Sequence, residues 1–175
     1  MTHPLTSLTT PRLLMLCAVL ALAACNNAAK YGGPGGAGGA GGSAVVAGSA
    51  SDPRSPAYFQ QTIGDRVLFQ VDQSTLTPEA QQILNGQASW LMTNANFNAV
   101  IEGHADEQGT REYNLALGAR RANAAREYLV SRGVAGNRLK VVSYGKERPI
   151  EICSEESCYA KNRRAVTVLA SGLTG

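Results

Sequence analysis

Residues 101–122 read IEGHADEQGTREYNLALGARRA, and the fold is decided there. The run Asn98 to Gly103 (NAVIEG) reads as a strand that ends as this stretch turns polar. A loop follows that gathers Glu102, His104, Asp106, Glu107, Arg111 and Glu112 around Gly109. From Asn114 to Arg132 the only helix breaker is Gly118, and Gly133 supplies a stop, so the pattern predicts a long helix. Upstream, Val67 to Val71 (VLFQV) is a short β-rich run. Thr77-Pro78-Glu79 then carries an N-cap, a proline at the first position and an acid in the first turn. Ala80, Ile83, Leu84, Ala88 and Leu91 continue as a helical stripe to about Met92. Downstream, Leu139 to Tyr144 (LKVVSY) predicts a third strand, Glu155 to Asn162 a short helix and Arg164 to Ala170 (RAVTVLA) a last strand. The order β-α-β-α-β-(α)-β predicts an α+β domain: one mixed four-stranded sheet with helices packed on one face.

The chain has 175 residues, room for one ordinary domain plus tails and none for a large α/β barrel. A net charge of +3 is too weak for a nucleic-acid groove. A hydrophobic fraction of 44% supplies a core and falls short of a multi-span membrane protein.

Ahead of the domain, Leu13 to Ala24 (LLMLCAVLALAA) is an apolar run behind Arg12. A dozen residues are too few to span a bilayer, which needs about 20. A short apolar core with a positive residue before it and small residues after it predicts a signal peptide over 1–24. Leu22-Ala23-Ala24-Cys25 resembles a bacterial lipobox, which implies cleavage before Cys25 and lipidation of its thiol. Several acyl chains there would anchor durably where one would not. Asn26 rather than Asp after the Cys implies the outer membrane, with the head facing the periplasm. Tyr31 to Ser43 (YGGPGGAGGAGGS) offers nothing to bury, so residues 25–55 are expected to be a lipidated N-terminus and flexible tether, and 56–175 the folded domain. Cys17 leaves with the signal peptide and Cys25 is lipidated, so Cys153 and Cys158 remain. In an exported chain they are expected to form a disulfide, worth about 2 kcal/mol in the chain-entropy account, with two free thiols as the alternative.

On the long helix Asn114, Leu117 and Arg121 share one face, and its first turn adjoins the polar loop. Asp106 and Arg121 therefore point to one of two arrangements. Either they face one cleft and grip the ammonium and the carboxylate of a zwitterion, or they form an internal ion pair that positions the loop.

Several motifs bear on that choice: Gly103-His104-Ala105-Asp106-Glu107, Gly109-Thr110, Tyr113-Asn114, Leu117-Gly118, Arg120-Arg121-Ala122-Asn123, Val142-Ser143-Tyr144-Gly145-Lys146-Glu147 and Asn162-Arg163-Arg164-Ala165-Val166. Together they resemble the OmpA-like peptidoglycan-binding domain family over roughly Arg66 to Leu169, and the lipobox and tether resemble its lipid-anchored branch. The resemblance implies that Asp106 and Arg121 hold the diaminopimelate residue of a peptidoglycan stem peptide. It places an apolar contact at Leu117, a loop prop at Asn114, and further binding residues at Asp72 and Thr110. It implies TolB and the Tol complex as partners, and a role in envelope constriction at division. Gly118 departs from the Ser of many OmpA-like members, and the Cys153–Cys158 pair is not a general family feature.

No enzyme is expected. There is no G-x-S-x-G elbow and no evident base partner for a nucleophile. An Arg facing Asp106 suits a charged binding group better than the acid of a Glu102–Asp106 glycosidase pair. Glu102-x-His104-x-Asp106 shares a strand face but lacks the second His or Cys that zinc favours, so no metal or cofactor is expected and His104 is expected to be a hydrogen-bonded structural residue. Trp90 is expected in the core or on a partner surface. Arg163 and Arg164 are expected to be solvated or salt-bridged. The rival readings are a peptidoglycan hydrolase or amidase, and the OmpA-like domain of a transmembrane stator-type protein.

Overall fold

The computed structural model describes residues 46–171. The signal peptide, Cys25 and the Gly-rich run lie outside the described residues. A short helix α1 (Pro56–Tyr58) runs into a π-helical turn, Phe59–Gly64. Then come β1 (Arg66–Leu68), α2 (Pro78–Thr93), β2 (Phe97–His104), α3 (Arg111–Ser131), a 3-10 turn (Gly136–Arg138), β3 (Leu139–Gly145), α4 (Glu156–Asn162) and β4 (Arg164–Ser171). The sheet order is β1-β4-β2-β3, with β4 antiparallel to both neighbours and β2 parallel to β3. The mixed four-stranded sheet expected from the sequence is therefore the one observed.

Local chemistry sets the helix starts. Thr77 accepts the Ala80 N–H and Thr110 the Tyr113 N–H, so α2 and α3 begin one residue beyond each threonine. That puts the start of α3 three residues before Asn114, where the apolar stripe alone suggests it. The strand expected over 67–71 is shorter. Phe69 still donates to the Arg163 carbonyl, but the chain then turns, with Gln73 N–H on the Gln70 carbonyl and Asp72 at a φ of 57°. The ladder ends there because the register would set Gln70 opposite Asn162, which belongs to α4, and the Gln70 and Gln73 carbonyls accept from Arg121.

The core lies between the sheet and the helices α2 and α3. Phe59, Leu84, Leu91, Ile101, Ala122, Ala125 and Leu129 are buried in it. Trp90 is core rather than surface, tilted against Phe59 and Phe97 at 4.9 and 5.2 Å, with its indole N–H donating to the Pro53 carbonyl at 2.7 Å. That contact shifts the start of the folded part. Residues 46–55, placed in the tether by composition, form turns in which Asp52 and Ser49 hold the backbone, and Ser55 caps α1. Short polar side chains that bond their own backbone make turns as well as linkers.

Two glycines let α3 reach the sheet. A Cβ on Gly103 would lie 1.8 Å from the Gly118 carbonyl oxygen, and one on Gly118 would lie 2.5 Å from Ser143 Oγ. The helix therefore crosses β2 and β3 backbone to backbone, which fixes its first turns beside the end of the sheet.

Candidate functional site

The loop 105–110 between β2 and α3 is tied down at every step. Ala105 N–H donates to the Gly145 carbonyl at 2.8 Å. Asp106 Oδ1 accepts the Gln108 N–H, and the Asn114 amide donates to the Gln108 carbonyl at 2.7 Å. Lys146 Nζ reaches the Gly109 carbonyl at 2.7 Å, and the Asn162 amide donates to Glu107 Oε1 at 2.5 Å. A loop so bonded presents its side chains without further ordering, which lowers the entropy lost on binding.

Two buried arginines brace it. Arg121 is 0% exposed. Its Nε donates to the Gln73 carbonyl at 2.8 Å, Nη1 to His104 at 2.9 Å and Nη2 to Gln70 at 3.1 Å, with the guanidinium carbon 5.3 Å from the Phe69 ring centre. Burial pushes its pKa down to about 10, opposed by the nearby charge of Asp106, so it stays a cation at neutral pH. Arg163, 3% exposed, donates from Nη1 to Asp106 Oδ2 at 3.1 Å and from Nε to the Phe69 carbonyl at 3.3 Å. Its Nη2 is bound to Glu156.

This settles the ion-pair alternative against the pairing expected: the internal partner of Asp106 is Arg163, while three of the five N–H groups of Arg121 engage backbone carbonyls. Of the two expectations for Arg163 and Arg164, Arg163 meets the salt-bridged one, with Asp106 and Glu156, and both are buried rather than solvated. Arg164 serves the Asn162 and Arg148 carbonyls.

A pocket of about 230 Å³ opens beside the first turns of α3. Asp72 and Asp106 supply carboxylates, Val71 and Leu117 apolar surface, Asn114 an amide and Tyr113 a phenol. Four of the six expected binding residues thus line one cavity. Thr110 is the N-cap of α3, and Arg121 sits two turns further along that helix from Asn114, outside the pocket lining. Tyr113 escaped the sequence reading. Its hydroxyl donates to the Asp72 carboxylate, which raises the phenol pKa, and Arg120 lies 5.8 Å over its ring. Its spacing four before Leu117 was the available signal. Arg163 and Glu156 lie seven residues apart, but Asp106, the partner that ties them to the pocket, is 57 positions from Arg163 and no local spacing points to it.

His104 is buried, 2% exposed, but neither ring nitrogen has a hydrogen-bond partner, contrary to expectation. Its Nε2 lies 3.7 Å from Glu102 Oε2. Burial, with the charges of Arg164 and Arg148, pushes its pKa down to about 4, so the ring is neutral at pH 7. No three His, Cys, Asp or Glu side chains converge on a possible metal position among the described residues. Cys153 and Cys158 form the expected disulfide, with Cα atoms 6.0 Å apart. No helix among the described residues is long and apolar enough to cross a membrane.

The OmpA family matches residues 68–163. A peptidoglycan-associated lipoprotein of Mesorhizobium japonicum is 49% identical over 91% of this chain and 92% of its own length. One from Haemophilus influenzae is 40% identical over 88% and 94%. Among solved structures, the peptidoglycan-associated lipoprotein of Burkholderia pseudomallei is 37% identical with a TM-score of 0.61, covering 68% of this chain and 97% of that one. The C-terminal domain of Helicobacter pylori MotB shares the fold at 20% identity and a TM-score of 0.58, covering 62% and 86%.

Proposed function

Because the chain belongs to the OmpA family, we propose that it is an outer-membrane lipoprotein whose folded head binds peptidoglycan non-covalently. The ligand is the diaminopimelate residue of a stem peptide. The observation that carries this reading is the pocket itself, where Asp72 and Asp106 converge beside Leu117 and Asn114. Two carboxylates suit an ammonium group, which they hold by charge-assisted hydrogen bonds. Val71 and Leu117 suit the methylene chain of the same residue. Arg121, outside the pocket lining, sets its positive charge near Asp106 and Asp72 and holds the flanking segments through the Gln70, Gln73 and His104 carbonyls. The names of the curated relatives join peptidoglycan to lipoprotein, which supports the same reading. Lipidated Cys25 is then the membrane end, and residues between it and the head span the gap. TolB and the Tol complex, and envelope constriction at division, follow from the family resemblance as partners and process. The role is binding rather than catalysis.

Sedimentation with purified sacculi tests the site. Asp106→Ala leaves Arg163 its Glu156 and Phe69 partners, so circular dichroism should be unchanged while binding falls by about 2 kcal/mol or more. Binding equal to wild type would reject the assignment. Arg121→Ala is the poorer probe, because it empties a fully buried site, removes the bonds to the Gln70, Gln73 and His104 carbonyls and destabilises the fold itself.

A further inference from the structure

We propose that α4, stapled by the Cys153–Cys158 bridge, is a buttress that sets the position and charge of Asp106, with Glu156 and Arg163 as positioning residues. The inference rests on the peptidoglycan-binding reading and assigns a part of the chain outside the pocket to the same task.

Asp106 in contact with a buried Arg163 alone would be a closed ion pair with little attraction left for a cation. Glu156 changes that. It takes Arg163 Nη2, and Nη1 lies between Asp106 Oδ2 at 3.1 Å and Glu156 Oε2 at 3.4 Å. One guanidinium shared by two carboxylates leaves that trio with a net negative charge, and the buried Arg121 beside Asp106 is offset by Asp72, so the pocket keeps its attraction for a cation.

Glu156 must then be held in place, and α4 is poorly built to do so unaided. It has seven residues, well below the length at which a helix persists alone. Among the described α-helices it alone has no side-chain N-cap; Ser55, Thr77 and Thr110 cap the others. The disulfide sits where the cap is missing, joining Cys153 ahead of the helix to Cys158 in its first turn, with Glu156 inside the closed ring. The far end of α4 is fastened as well. Asn162 accepts the Ile150 and Glu151 N–H groups and donates to Glu107 Oε1, next to Asp106. The stapled helix therefore touches the ligand loop at two consecutive residues.

The test is titration of the full-length chain in detergent with a diaminopimelate-containing muropeptide. The wild type is compared with Glu156→Gln, with the double variant Cys153→Ser/Cys158→Ser, and with all three changes combined. Glu156 is largely solvent-facing, so Glu156→Gln keeps the fold, and circular dichroism checks the others. Each change should weaken binding about three- to tenfold, a charge-assisted contact discounted for exposure. The combination should lose no more than the stronger single effect, since the groups act in series. Glu156→Gln should also flatten the fall of affinity with salt, which a purely structural role would leave alone. If the wild type binds and the variants match it, or if the losses multiply, the buttress is overturned and the binding function stands. If the wild type does not bind, both fall.

Discussion

Burial keeps the imidazole of His104 neutral, and that has a signature in acid. The folded-state pKa of about 4 lies below the ordinary 6.5, so the unfolded chain binds the extra proton first. Stability should be at its full value above pH 6.5 and fall as pH drops toward 4, by on the order of 1–2 kcal/mol between pH 7 and 5. Urea denaturation of wild type and His104→Gln at the two pH values checks this: the variant should lose most of the difference. At this scale the sequence is informative where side chains meet side chains on one face. Asn114 and Leu117 reach one pocket with Asp106 because helical spacing and chain connection bring them there. It is silent where the partner is backbone. Nothing in a residue pattern announces that Arg121 serves the carbonyls of Gln70, Gln73 and His104, or that Asp106 finds Arg163 across 57 positions.

Among the elements, the crossing of α3 over β2 is the least forgiving. Gly103→Ala places a methyl on the Gly118 carbonyl and forces the two backbones apart. The expected cost is at least about 3 kcal/mol, the upper end of overpacking, read as a lowered midpoint in chemical denaturation. Binding should weaken with it, since the same crossing places the first turns of α3. A midpoint unchanged from wild type would mean the helix has room to lift. Element boundaries were legible where a capping residue marks them, as at Thr77. They were less so where tertiary bonds decide. β1 is short because its partner strand begins only at Arg164, just after α4, and the π-helical turn at 59–64 has no periodic signal of its own.

For the whole molecule, the prediction concerns where the head begins. Deleting residues through 45 should leave its stability unchanged. Deleting through Ser55 removes the cap of α1 and the carbonyl that pairs the buried Trp90 indole, and should cost about 2 kcal/mol by denaturant titration. Equal stability of the two truncations would show that the turns at 46–55 are passengers. Composition placed that boundary late because serine, aspartate and proline read as linker whether or not they are bonded.

The strand order carries a consequence for how such a chain is made. Arg66 of β1 is partnered with Val166 of β4, and β4 also fills the space beside β2. A polypeptide delivered amino end first through a narrow pore cannot complete this sheet until its last strand has emerged, because β1 has no neighbour before then. Closing the sheet therefore waits on its most distant pairing, which slows folding.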